Sequence, residues 1–218
     1  NFNQAPVIFI IQPNNISIYN GFNYLKEDKT LSILSNNYND FDYFKIITGE
    51  TWEKYNINLE NKNRVDAVLL KSIENARNKL IIEFALPIKT ANFLIGRIIF
   101  IRYLIDRKVE LNKYGILSKE DFYKILASKQ KAYQLFRKIK KDFNGNLFPV
   151  SYTIDSKEID EEDIVENSHL SVIIDLLRGT DITNGQLSFF DIFDFEILPI
   201  EFISNVYEKF IGKNEQAK

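Results

Sequence analysis

The sequence predicts an α+β chain that is mainly α: an N-terminal β-hairpin, the remnant of a small sheet, followed by a helical bundle. Two observations point there. Near the N-terminus apolar residues run together in V-I-F-I-I (7–11) and alternate in I-S-I-Y (16–19), a strand pattern. From residue 63 onward they recur every three or four positions, the spacing of one helix face.

Pro13-Asn14-Asn15 is the turn between the two strands, and Asn20-Gly21 ends the second. A two-stranded ribbon is marginal by itself, so its remaining partners are expected before residue 1. Residues 22–61 are rich in Asn and aromatics, with a short helix expected over 41–47. Val65, Leu69, Ile73, Ala76, Leu80 and Phe84 then mark an amphipathic helix over 63–84. Pro87 suits the first turn of the next helix, to about 108, because its missing N–H is not needed there. Ser118 and Asp121 resemble a capping box and open a single expected helix over 118–142, ended by Asn144-Gly145-Asn146. Residues 155–166 hold a dense group of acids and read as a loop or a helix start. A helix over 166–178 stops at Gly179, an αL cap. Residues 186–193 read as a strand or extended segment. Pro199 opens a last helix that stops at Gly212, with Ile200, Ile203, Val206, Tyr207 and Phe210 on its apolar side.

Composition narrows the functional classes. At 218 residues with 45% hydrophobic residues, only 5 Pro and 8 Gly, the chain can bury a full core. Zero cysteines exclude disulfides, thiolate metal sites and a Cys nucleophile, and fit a cytoplasmic bacterial protein. The longest apolar stretch, 93–105, is interrupted by Arg97 and Arg102, short of the roughly 20 apolar residues a membrane span needs. The lack of an initiator Met, and of any Met, suggests a piece of a longer chain.

The net charge of −2 conceals a strong split: residues 1–61 carry −3, residues 62–150 carry +11, and residues 151–218 carry −10. Such asymmetry indicates a basic surface aimed at a polyanion, or at the acidic part of the same chain. Within the basic region, Lys124, Lys131 and Lys138 recur at seven-residue spacing opposite the apolar face of the expected 118–142 helix, with Lys141 adjoining. A stripe of this kind contacts phosphates as point charges, without reading sequence. Any one of these lysines, taken alone, is better explained as part of a solvated helix face. Arg97, Arg102 and Arg107 lie on a mostly apolar helix and need partners there. Asp106 or the acids of 155–166 can supply them, and an internal ion-pair network is favoured over DNA contact for all three. The acidic stretch matches no calcium-loop pattern and reads as a solvated loop or a cover over the basic region. His169, the lone histidine, has no activated nucleophile beside it. No catalytic residue and no metal site is assigned.

Several segments carry a resemblance in order along the chain. Thr48-Gly49-Glu50-Thr51-Trp52 is similar to an S/T-G-x-x-W element, and the hairpin 7–20 to the end of a nuclease-like α/β region. Residues 64–70, Leu94-Ile95-Gly96-Arg97 and Tyr103-Leu104-Ile105-Asp106-Arg107 look like a helical core. Phe143-Asn144-Gly145-Asn146-Leu147-Phe148 resembles an "nGdlF" turn, and residues 197–210 an "IP-E-lls-iYE-fl" helix. Together they resemble the segment preceding the catalytic domain in fused restriction–modification adenine-specific DNA methyltransferases of the type IIG kind.

The resemblance implies residues 1–61 as the end of a nuclease-like region and 62–218 as a helical connector before a methyltransferase domain. The family's Y-T-P-like element, its glycine-containing S-adenosylmethionine motif, its N-P-P-Y-type motif and a D…E-x-K nuclease constellation are not found in this sequence. S-adenosylmethionine and Mg2+ are therefore expected only for the parent enzyme, and no cofactor for this chain. Base flipping and methyl transfer belong to the other domain. The expected partners are double-stranded DNA, bound weakly, and the nuclease and methyltransferase modules of the same parent. The competing expectation is a protein–protein interaction module with a basic middle and an acidic C-terminal third.

Overall fold

A computed structural model describes residues 5–22, 31–56, 65–143, 149–154, 156–179 and 200–210. The chain divides into two compact units, Asn1–Lys71 and Ser72–Lys218. The division falls inside a helix, where the sequence reading placed it at residue 61. The architecture is α+β and mainly α, with a small antiparallel sheet preceding the helices.

In the first unit, β1 (Val7–Gln12) and β2 (Asn15–Asn20) pair antiparallel from Val7↔Asn20 to Gln12↔Asn15, closed by the turn at Pro13-Asn14. A third strand, β3 (Ile33–Ser35), pairs with the other edge of β2. The hairpin thus has a partner from downstream, within the stretch read as aromatic-rich and irregular. Three residues are too few for alternation to register as a pattern. The helix expected over 41–47 is α1 (Tyr43–Thr48), whose N-terminus is capped by Asp42 through Phe44 N–H at 2.9 Å. It is followed at once by α2 (Glu50–Tyr55). Ile18, Phe41 and Tyr55 form the buried centre, flanked by Val7, Ile16, Leu34 and Ile46.

α3 (Val65–Ile82) spans the division between units, and its residues Leu69, Ile73, Ala76 and Leu80 are buried at the predicted helical spacing. In the second unit, α4 (Ile88–Asp106) begins at Pro87 as expected and is buried around most of its circumference. A helix apolar on nearly all sides belongs in the middle of a bundle. α5 (Lys119–Leu126) packs against α6 (Lys129–Asp142) and α8 (Asn167–Arg178), while α9 (Ile200–Phe210) packs on α4. Among the described side chains of α9, Phe202 and Val206 are buried and Ile203 is half-buried, so Phe202 joins the face drawn from the sequence.

The single helix expected over 118–142 is two. Ser118 Oγ caps α5 through Asp121 N–H, as predicted, but the helix ends at Ala127-Ser128. Lys129 N–H, which a continuous helix would give to Ile125, donates instead to Asn167 Oδ1 on α8 at 2.8 Å. The acidic stretch is likewise more ordered than expected. Antiparallel β4 (Ser151–Ile154) and β5 (Lys157–Asp160) form a hairpin that runs into α7 (Glu161–Ile164). Gly179 closes α8 at φ 77°, the predicted left-handed cap. The expected breaks at 144–146 and Gly212 and the extended segment 186–193 lie outside the described residues.

Candidate nucleic-acid interface

The arginines on α4 are internal. Arg97, 3% exposed, gives Nη1 to Glu161 Oε1 at 2.7 Å and Nη2 to Glu161 Oε2 at 3.1 Å and to the Pro149 carbonyl at 2.9 Å. Its guanidinium lies 4.8 Å from the Phe136 ring centroid. Tyr133 also donates to Glu161 Oε1, at 2.8 Å. Burial works against the Arg97 charge, but the adjoining Glu161 carboxylate more than offsets it and the guanidinium is held more firmly protonated. Burial first, and then the same carboxylate, push the Tyr133 phenol well above its ordinary range, so it stays a donor. Tyr152, hydrogen-bonded to Thr90, is pushed up to about 12 by burial.

Arg102, 0% exposed, donates through Nε to both oxygens of Asp106, one turn on, at 3.0 and 3.1 Å. Its Nη1 reaches Tyr123 Oη, and Lys119 Nζ lies 3.4 Å from the same aspartate. The partners anticipated for these arginines, Asp106 and an acid of 155–166, are the ones found. Arg97 and Arg102 were also candidate DNA-backbone contacts, and burial removes them from that set. A guanidinium enclosed between helices presents no donor to a phosphate outside.

The lysine candidates fare differently. Lys131, Lys138 and Lys141 are exposed along the outer side of α6, opposite buried Ala132, Tyr133, Leu135, Phe136 and Ile139. Among the described residues none of the three is in an ion pair. Lys124 is 74% exposed on its side chain and lies 3.8 Å from Asp121 on its own helix. The break at Ala127-Ser128 separates it from the others, so the continuous stripe reduces to three lysines on α6. The acidic residue of α6 is occupied: Asp142 accepts from Tyr114 Oη at 2.6 Å and pairs with Lys113 at 2.9 Å. Those two bonds, the tyrosine's first, hold its carboxyl below the usual range. Lys140 and Lys141 in the last turn also favour the helix dipole. Lys131, in the first turn where a cation is disfavoured, gains nothing of the kind.

Arg137, absent from the candidates drawn from the sequence, stands on this same helix beside Lys138 and Lys141. Its Nη1 lies 2.6 Å from Glu162 and its Nη2 3.3 Å from Asp160. At the near end of the helix Lys129 pairs with Glu166 at 3.4 Å. The acidic stretch therefore has two parts to play: Glu161 goes inside, and Asp160, Glu162 and Glu166 cover one flank of α6. The sequence signal was available, since Arg137 lies in the most basic run of the chain.

Other candidate features resolve as structure. His169 Nδ1 accepts Glu166 N–H at 2.8 Å, closing the cap of α8, and its ring packs edge-on to Phe84 at 5.5 Å. Burial lowers its pKa. Thr48-Gly49-Glu50-Thr51-Trp52 is a helix–helix corner: Gly49 at φ 95° ends α1 and starts α2. Thr51 Oγ1 donates to the Asp40 carbonyl at 2.7 Å, and Trp52 Nε1 to the Ile46 carbonyl at 3.0 Å. Residues 144–148 and Arg64, quoted for the resemblance, lie outside the described residues.

No family model, no curated protein and no solved structure matches this chain. Among the described residues, no helix is long and apolar enough to cross a membrane, and no group of three or more His, Asp or Glu could hold a metal ion.

Proposed function

We propose that the chain is a non-catalytic connector from a bacterial restriction–modification DNA methyltransferase, contacting the DNA backbone through α6 while linking nuclease and adenine methyltransferase modules. The observation that carries the DNA part is the row Lys131, Lys138 and Lys141: exposed, on one side of a helix, and without an ion pair among the described residues. The ordered segments resembling that family support the parentage. In this reading S-adenosylmethionine and Mg2+ serve the parent's other domains, and the chain works in the cytoplasm. Ammonium groups on flexible stems engage phosphates without fixing a base sequence, so binding is weak and sequence-independent.

The test is a titration of the 218-residue chain with two labelled duplexes of unrelated sequence at several salt concentrations. Equal affinities that fall steeply from low to physiological salt support the reading. Binding that is absent at low salt, or indifferent to salt, removes the DNA contact.

A protein–protein interaction module is the second reading. Tyr43, Phe44 and Ile47 of α1 are exposed together and favour it. The part of its acidic docking surface at Asp160, Glu162 and Glu166 is already engaged by the chain's own cations. Capture of a defined basic protein partner by the chain, lost when those three acids are neutralised, would restore it.

A further inference from the structure

The flank of α6 that faces the β4–β5 hairpin is not simply covered; it is held in a particular way. Arg137 presents its planar fork to two carboxylates, Glu162 at 2.6 Å on Nη1 and Asp160 at 3.3 Å on Nη2. This is the geometry in which a guanidinium takes a phosphate. The two acids are not loose side chains that drift onto the arginine. Asp160 Oδ1 also accepts Glu162 N–H at 3.1 Å, as the N-cap of α7. Glu161 between them is locked inside by the bidentate pair with Arg97. The backbone carrying both carboxylates is thereby fastened to the core, and the acids stand where a phosphate would otherwise sit.

We infer that Asp160 and Glu162 set the DNA affinity of the α6 surface: they mimic a phosphate on Arg137 and so limit how many backbone phosphates that surface engages. The inference rests on the DNA-contacting role of α6 proposed above. With the acids in place, Arg137 is occupied and duplex DNA meets the point charges of Lys131, Lys138 and Lys141. Without them, Arg137 joins as a bidentate contact adjoining Lys138 and Lys141, and two repelling charges leave the border of the site. The arrangement keeps contact weak and free of the tighter grip a guanidinium provides.

The experiment measures duplex affinity of the whole chain against salt for the wild type, Glu162→Gln, and Asp160→Asn with Glu162→Gln. Asparagine keeps the capping oxygen at 160, and Glu162→Gln alone leaves that cap untouched. The expected result is stronger binding at low salt and a log–log slope about one unit steeper for the double variant. One added phosphate contact corresponds to about 3.5-fold more affinity lost between 50 and 200 mM salt. Adding Arg137→Gln to the double variant should return the slope to the wild-type value. If the wild type binds and the double variant keeps its slope, the inference fails while the DNA reading stands. A gain that survives Arg137→Gln also overturns it, because bulk charge then explains the effect. If none of the proteins binds at low salt, the DNA reading fails and takes this inference with it.

Discussion

Removing Arg97 should be among the most damaging single changes in this protein. Glu161 has a fully buried carboxylate, and truncating its bidentate partner strands that charge in the core. The cost of such a break is about 3–5 kcal/mol. Urea unfolding of Arg97→Ala should show it, and a loss below about 1 kcal/mol, the value of a surface pair, would contradict the burial account. Arg97→Leu combined with Glu161→Leu should be more stable than Arg97→Leu alone, since no charge is then left unmatched.

His169 supplies a second residue-scale expectation, with a definite sign. Its Nδ1 must be unprotonated to accept Glu166 N–H, and burial lowers its folded pKa. A base with a depressed folded pKa adds stability above its unfolded pKa, about 6.5, and that stability is lost as pH falls through the lower folded value. Thermal unfolding should therefore drop between pH 7 and pH 5 in the wild type and drop less in His169→Gln, which keeps an acceptor but does not titrate. Equal slopes for the two proteins would remove His169 from the pH response.

Arg107, read from the sequence as a third such residue, is exposed just past the end of α4, its guanidinium 5.2 Å from the Tyr103 ring centroid. That Arg97 and Arg102 need internal partners follows from guanidinium groups on an apolar helix. The choice of Glu161, from an acid-rich stretch read largely as solvent-facing, did not, because it depends on a hairpin that local pattern hardly marks. The apolar surroundings already favoured ion pairs over DNA for Arg97 and Arg102, yet the sequence still left them beside the lysines as DNA candidates. A guanidinium suits a buried carboxylate and a phosphate equally well, and only burial decides.

At the scale of elements, periodicity and caps placed most helices well, from Pro87 at the start of α4 to Gly179 at the end of α8. The failure at 118–142 is instructive. Phe122, Tyr133, Phe136 and Ile139 keep helical phase across Ala127-Ser128, and neither Gly nor Pro marks the break. What divides α5 from α6 is a tertiary bond, Asn167 Oδ1 taking Lys129 N–H. Asn167→Ala should leave that donor unmatched and cost about 1 kcal/mol, the usual value of a helix cap. Amide exchange at the start of α6 should quicken in this variant while α4 is unchanged. Unaltered exchange there would mean the break is set by local backbone preference. In the first unit, β3 escaped notice for its brevity, whereas the corner at Gly49 was visible as a motif whose geometric reason, a left-handed φ, only coordinates supply.

At the scale of the whole molecule, the charge split is the feature most visible in sequence and most changed by folding. Part of the +11 middle is spent internally, on Asp160, Glu161, Glu162 and Glu166 from the acidic third. What stays outward on α6 is the row Lys131, Lys138 and Lys141, with no carboxylate partner among the described residues. The proposed role as a connector on the DNA backbone depends on that residue of positive surface more than on net charge. The most direct measurement compares duplex binding against salt for the wild type and Lys131→Gln/Lys138→Gln/Lys141→Gln. If these lysines are the backbone contacts, the log–log slope should become shallower by about 2.7, at roughly 0.9 per phosphate released. A triple variant that binds with the wild-type slope would contradict the account.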